Sequence, residues 1–176
     1  SDEADNMQRS DFEIMAPAGS RETLAAALQA GADSVYFGIG ALNMRAHSAG
    51  GFTIDDLNEI AALCREHGAK SYLTVNTVIY DGDLAAMREI VSAAKAAGVS
   101  AVIASDVAVM QCCRELGVEV HLSTQLNIAN VEALRFYAQF ADVVVLAREL
   151  TLRQVADIRA AIDREGIKGP SGRPVR

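Results

Sequence analysis

His121, Ser123 and Gln125 occupy every second position of the stretch VEVHLSTQLNIAN, residues 118–130. Successive side chains of a strand alternate between its faces. An imidazole, a hydroxyl and an amide therefore fall on one side as a row able to hydrogen-bond a ligand. If that side faces a barrel interior, the row lines a pocket floor; the structural alternative is a polar layer satisfied within the barrel, or a side turned to the helices. Ser123 and His121 also invite a hydrolytic reading, as nucleophile and base. Residues two apart on a strand project in parallel, roughly 7 Å from each other, whereas such a pair needs a hydrogen bond of roughly 2.6–3.2 Å. Neither GxSxG nor HExxH occurs. The row is predicted to bind substrate, not to cleave peptides.

Other polar groups recur at equivalent places. Asn43 and Arg45 follow the second apolar run, and Arg45 is of the type that clamps a carboxylate or phosphate with two parallel hydrogen bonds. Asn76 and Thr77 end the third run, Ser105 and Asp106 the fourth, and Arg148 and Glu149 the sixth. Ser105 and Asp106 read as a strand end and a helix cap. Arg148 and Glu149, being adjacent, face different ways, so one of them is predicted to point into the mouth; an internal ion pair is the structural alternative. Cys112 and Cys113 sit together in a helical segment where neighbours diverge by roughly 100°, so they read as buried apolar residues, as does Cys64. His47 and His67 read as surface residues. No ligand set has zinc or iron–sulfur spacing, so no cofactor is expected within this chain.

The elements that must position these groups form a repeating unit. Apolar runs at 12–19, 33–40, 70–77, 100–106, 118–125 and 142–149 alternate with helix-period segments that start near Ser20, Thr53, Asp83, Asp106, Asn130 and Thr151. All six starts are residue types that cap helix N-termini. Glycines 31, 68, 98, 117 and 166 follow the helical segments, where a left-handed residue ends a helix. Leu57, Ile60, Ala61 and Cys64 share a face, as do Leu84, Met87, Val91 and Ala94, and as do Leu152, Val155, Ala156 and Ile158. Strict alternation of strand and helix predicts a parallel sheet with right-handed crossovers. An open nucleotide-binding sheet would carry GxGxxG after its first strand, but APAGS stands there. Polar residues at strand end after strand end favour an α/β fold of the partial TIM-like barrel type, with six strand–helix units of eight.

Composition agrees. The chain has 176 residues, half of them apolar, and a net charge of −7. That balance argues against non-specific binding to nucleic acid or anionic membranes. No apolar run reaches the roughly 18 residues of a membrane span. Three cysteines without secreted-domain spacing suggest reduced thiols in a cytoplasm. Residues 1–11 read as a loose polar leader, 12–166 as the barrel portion and 167–176 as a tail stopping before a seventh strand.

The segments MAPAGSRETLAAALQAGADSVYFG, LNMRA, LTVNTVIYDGDL, VIASDVAVMQ, HLSTQLNIAN and VVLARELTL follow one another over about residues 12 to 158. In kind and order they resemble the collagenase-like U-32 peptidase family. The resemblance implies a barrel-like α/β domain and a longer parent protein of which this is an N-terminal portion. Although the family is named for peptidases, it includes bacterial hydroxylation factors for transfer or ribosomal RNA bases and for a ubiquinone precursor. It also implies an iron–sulfur cluster in the full-length parent, with cysteines downstream of these units, and a small-molecule or nucleic-acid substrate. Oxygen-independent hydroxylation is the expected chemistry and peptide hydrolysis its rival; a non-catalytic binding scaffold, or an inactive fragment, is the third expectation. The open sheet edges of this portion are expected to be covered by self-association, by the leader or by the tail.

Overall fold

The structure is a computed structural model, and it describes residues 13–40 and 51–176. The leader therefore lies outside the described residues, as do Asn43, Arg45 and His47.

Five parallel strands form one sheet in simple sequential order: β1 (Met15–Pro17), β2 (Ser34–Gly38), β3 (Lys70–Val75), β4 (Ala101–Ala104) and β5 (Val120–Leu122). Between and after them run α1 (Arg21–Gln29), α2 (Leu57–Glu66), α3 (Leu84–Ala97), α4 (Val107–Leu116), α5 (Val131–Tyr137) and α6 (Leu152–Glu165). Sequential parallel order without reversal is the topology of a (β/α) barrel, not of a doubly wound sheet. The barrel is not closed. The sixth apolar run makes two isolated parallel bridges, His121 with Val143 and Ile128 with Leu146, instead of a full ladder.

Four of the six predicted caps are made by side chains; Thr53 and Asp83 stand instead at 3-10 turns that lead into α2 and α3, and neither side chain caps its helix. Ser20 accepts from the Thr23 amide, Asp106 from Ala108, Asn130 from Ala133 and Thr151 from Gln154. In return, the Gln154 side-chain oxygen accepts from the Thr151 amide at 2.8 Å. Asp56 accepts from the Thr53 amide at 2.8 Å at the head of a short 3-10 turn that leads into α2. At Gly98 and Gly117, φ is +79° and +71°, a left-handed conformation costly for other residues.

The core lies between the sheet and the helices. Val35, Phe37, Leu73, Val75, Val102, Ala104, Val120 and Leu122 face outward from the strands into it. They meet Leu57, Ile60, Ala61 and Cys64 of α2, Met87, Val91 and Ala94 of α3, and Val109, Cys112 and Cys113 of α4. Two predicted faces differ from expectation. Leu84 is exposed, and in α6 Leu152 is 89% exposed while Ile158, Ala161 and Ile162 are buried. The first turn of α6 has no neighbouring layer among the described residues, so its apolar stripe begins to pack only at Ile158.

The tail is a folded feature. Lys168 and Pro174 bridge antiparallel, and Arg176 pairs with the sixth run by donating to the Asp142 carbonyl at 2.9 Å and accepting from the Val144 amide at 2.7 Å. Asp142 is buried, and its carboxylate accepts from the Ser171 amide and hydroxyl at 3.1 and 2.6 Å. Among the described residues no helix is long and apolar enough to cross a membrane.

Candidate functional site

With Val35, Leu73, Val102, Val120 and their alternates packed against helices, the other parity of each strand faces the inner, concave side. Those inner positions are Met15, Pro17, Ser34, Tyr36, Gly38, Tyr72, Thr74, Ala101, Ile103 and His121. Glu119 and Glu13 continue the parity on the N-terminal side. Barrel strands tilt, so residues at one height are offset in register from strand to strand. Tyr72 pairs with Ala101, while His121 pairs with Ile103, two residues further along. Their rings nonetheless touch, with centroids 4.9 Å apart. His121 thus belongs to a middle layer of the interior.

This layer is knit to the N-terminal side. Tyr72 donates its hydroxyl proton to Glu13 at 2.8 Å, and His121 Nε2 lies 3.2 Å from Glu119. Guanidinium groups of Arg173 and Arg176 approach Glu119 at 3.9 and 4.0 Å. Burial lowers the pKa of His121 below the usual histidine value, with the Glu119 charge opposing that shift. Burial and the bond to Glu13 push Tyr72 far up. The Ser34 hydroxyl is fully buried with no hydrogen-bond partner among the described residues.

Toward the C-terminal ends of the strands the inner side chains become small: Gly38, Thr74, Ser105 and Ser123. Their hydroxyls are engaged locally. Thr74 donates to the Phe37 carbonyl at 3.0 Å and Ser105 to the Asn76 carbonyl at 2.8 Å. Ser123 is buried; its hydroxyl accepts from the Gln125 amide at 3.3 Å, capping a 3-10 turn over Thr124–Leu126.

That turn alters the predicted row. β5 ends at Leu122, and the Ser123 cap folds the chain before the alternation reaches Gln125, which is exposed. His121 and Ser123 keep the strand's alternation; Gln125 leaves it because a hydroxyl-capped turn replaces extended backbone. Asn76 is half-buried and Thr77 exposed just past β3. Arg148 and Glu149 are both exposed in the turn before α6, and no ion pair joins them among the described residues. The alternative of an internal ion pair is therefore not met there: the sixth run makes no full ladder at this point, so nothing forces the two side chains into the interior. Tyr72, Glu13, Glu119 and Asp142 were not singled out from the sequence. Glu119 had a signal, the alternation E-x-H in VEVHLS; Glu13 and Tyr72, 59 residues apart, had none.

An iron–sulfur cluster does not fit the cysteines present. Cys64, Cys112 and Cys113 are buried in helices against the core, and burial raises all three thiol pKa values, Cys113 to about 12. A cluster needs thiolates converging on one point. No group of three or more metal-ligating side chains gathers among the described residues. A hollow of about 120 Å³ between α1 and α2, lined by Leu24, Leu28, Phe52 and Ile60, lies in the outer helical layer away from the strand ends.

Residues 19–166 match the model of Peptidase family U32. The chain is 65% identical over 170 residues to a protein named collagenase from Porphyromonas gingivalis, covering 97% of this chain and 41% of that one. It is 33% identical to tRNA hydroxylation protein P1 of Bacillus subtilis, covering 87% of this chain and 37% of that protein. The solved structure of a U32 peptidase superposes with a TM-score of 0.66 at 14% identity, over 85% of this chain and 64% of that one, which bears on the fold alone. The chain thus spans about two fifths of the length of these curated relatives. Matched along most of its length and built as an open parallel (β/α) barrel, the chain belongs to peptidase family U32.

Proposed function

We propose that this chain forms the substrate-facing N-terminal part of a longer enzyme whose chemistry is oxygen-independent hydroxylation of an RNA base or a quinone-precursor ring. In this reading Asn76, Thr77, His121, Ser123, Arg148 and Glu149 face substrate at the C-terminal ends of the strands, and Asn43 and Arg45, outside the described residues, are added on the sequence alone. Gln125 is retained as an exposed contact on the same rim. The observation that supports hydroxylation over peptide hydrolysis is how His121 and Ser123 are engaged. The Ser123 hydroxyl is buried and accepts from the Gln125 amide, the His121 Nε2 is turned to Glu119, and the two side chains are not bonded to each other. A hydrolytic pair needs that hydroxyl and that imidazole bonded to each other. Relatives named for tRNA hydroxylation lend further support. Any iron–sulfur cluster takes its ligands from outside the residues described here. Affinity for RNA, given the net charge of −7, comes from the remainder of the longer protein.

The rival reading, peptide hydrolysis, is favoured by the 65% identity to the protein named collagenase. One pair of measurements separates them. Mass spectrometry of RNA nucleosides and quinones from a deletion strain is expected to show one hydroxylated species lost, and the full-length protein purified without air is expected to show iron–sulfur absorbance. An unchanged nucleoside and quinone profile, with a colourless full-length protein that cleaves collagen peptides, overturns the proposal.

A further inference from the structure

A feature of the middle layer remains unused by this reading: one nitrogen of the His121 ring. Nε2 lies against Glu119, and a carboxylate only accepts hydrogen bonds, so the neutral imidazole carries its proton on Nε2. Nδ1 is left with a lone pair. The two ring nitrogens point away from one another, so Nδ1 faces away from Glu119. No protein atom among the described residues bonds to it.

The ring is held in place. Tyr72 lies against it with an interplanar angle of 56°, and Glu13 holds the Tyr72 hydroxyl. On the C-terminal side the inner positions are the small residues Gly38, Thr74, Ser105 and Ser123; the Thr74 and Ser105 hydroxyls donate to backbone carbonyls, and the Ser123 hydroxyl accepts from a backbone amide. A methyl group at Gly38 would already come within 3.2 Å of the Thr74 hydroxyl. A flat molecule that reached this ring would meet an acceptor that nothing among the described residues satisfies. The charged and titratable groups around the imidazole are Glu13 ahead of β1, Tyr72 on β3, Glu119 ahead of β5, and Arg173 and Arg176 of the tail.

We propose that His121 is a specificity-determining residue of the barrel interior: held in its Nε2–H form by Glu119, it presents Nδ1 as an acceptor to an N–H or O–H donor on the edge of a flat substrate ring. Glu119 is then a positioning residue, acting through His121. The assignment rests on the reading that the substrate is a base or a quinone-precursor ring, and it selects rings with a donor edge over those without one.

The test is nitrogen NMR on histidine-labelled protein, with His121→Gln used to assign the His121 signal. At neutral pH the expected state is a proton on Nε2 and none on Nδ1. In the full-length protein, uridine, whose ring N3–H is a donor, is expected to shift the Nδ1 signal, whereas 3-methyluridine is not. Glu119→Ala is expected to abolish the tautomer preference and to weaken uridine binding several-fold; Glu119→Gln keeps an acceptor and is expected to preserve both, which separates positioning from loss of fold. A proton on Nδ1, no response to uridine, or an equal response to the two nucleosides overturns the proposal. The tautomer is read without turnover. An altered RNA profile in the deletion strain together with a proton on Nδ1 would therefore sink this assignment and leave the proposed function standing.

Discussion

Glu119, just ahead of β5, and His121 within it share the inner side because extended side chains alternate, and that one relation gives the chain a pH dependence. Burial lowers the His121 pKa in the folded state, so protons bind more readily to the unfolded chain between the folded value and the usual value of about 6.5. Stability from this residue is therefore present above about pH 6.5 and is lost as pH falls through the folded pKa. Glu119 opposes the shift. Glu119→Gln is expected to deepen the depression and steepen the acid loss, whereas His121→Gln is expected to flatten it. Thermal unfolding at pH 7 and pH 5 checks both; equal pH sensitivity in all three proteins would refute the argument. The Glu119–His121 relation was legible as E-x-H. Its consequence was not, because the burial that lowers the pKa comes from Tyr72 and the neighbouring strands.

At the scale of elements, Asp106 shows how one carboxylate joins two units. One oxygen caps α4 by accepting from the Ala108 amide at 2.8 Å; the other accepts from the Ile79 amide at 3.0 Å, tying down the loop after β3. Asp106→Ala removes both bonds and is expected to cost about 1–3 kcal/mol, above the roughly 1 kcal/mol of an ordinary cap. Asp106→Asn keeps the oxygen that caps α4 and is expected to cost about half as much. Denaturant unfolding compares them, and a loss no larger than that of Thr151→Ala would show that the loop bond contributes nothing. The cap could be read from Ser105-Asp106 before an apolar period. The second bond joins residues 27 apart and required the β3–β4 pairing to exist. Gln125 shows the reverse limit: alternation predicted an inward side chain, and a hydroxyl-capped turn ended the alternation first.

Across the whole molecule, the tail and the open edge are the parts that packing decided. Gly169 passes so close to Asp142 that a methyl group there would sit 2.8 Å from the Asp142 Cα and 2.9 Å from the Ala141 carbonyl. Gly169→Ala is expected to destabilise the chain by about 1–3 kcal/mol and to free residues 167–176 for limited proteolysis; a tail as protected as in the parent chain would contradict this. The other edge ends at β1, whose outer side pairs with nothing among the described residues. Sedimentation of the chain alone is expected to show concentration-dependent association through that edge. A monomer at all concentrations would count against it.

What the sequence determined by itself is the periodic part: alternating runs, caps and glycine stops dictate parallel strands joined by helices, because each of these is a local property of a few neighbouring residues. The polar character of the strand ends was equally local. Only the tertiary structure decided how those ends meet. Strand tilt set the Tyr72 ring against His121, a buried Asp142 drew the tail onto the sixth run, and the absence of a packing layer left Leu152 bare. Each depends on residues far apart in the chain, whose distances are set by packing and not by spacing.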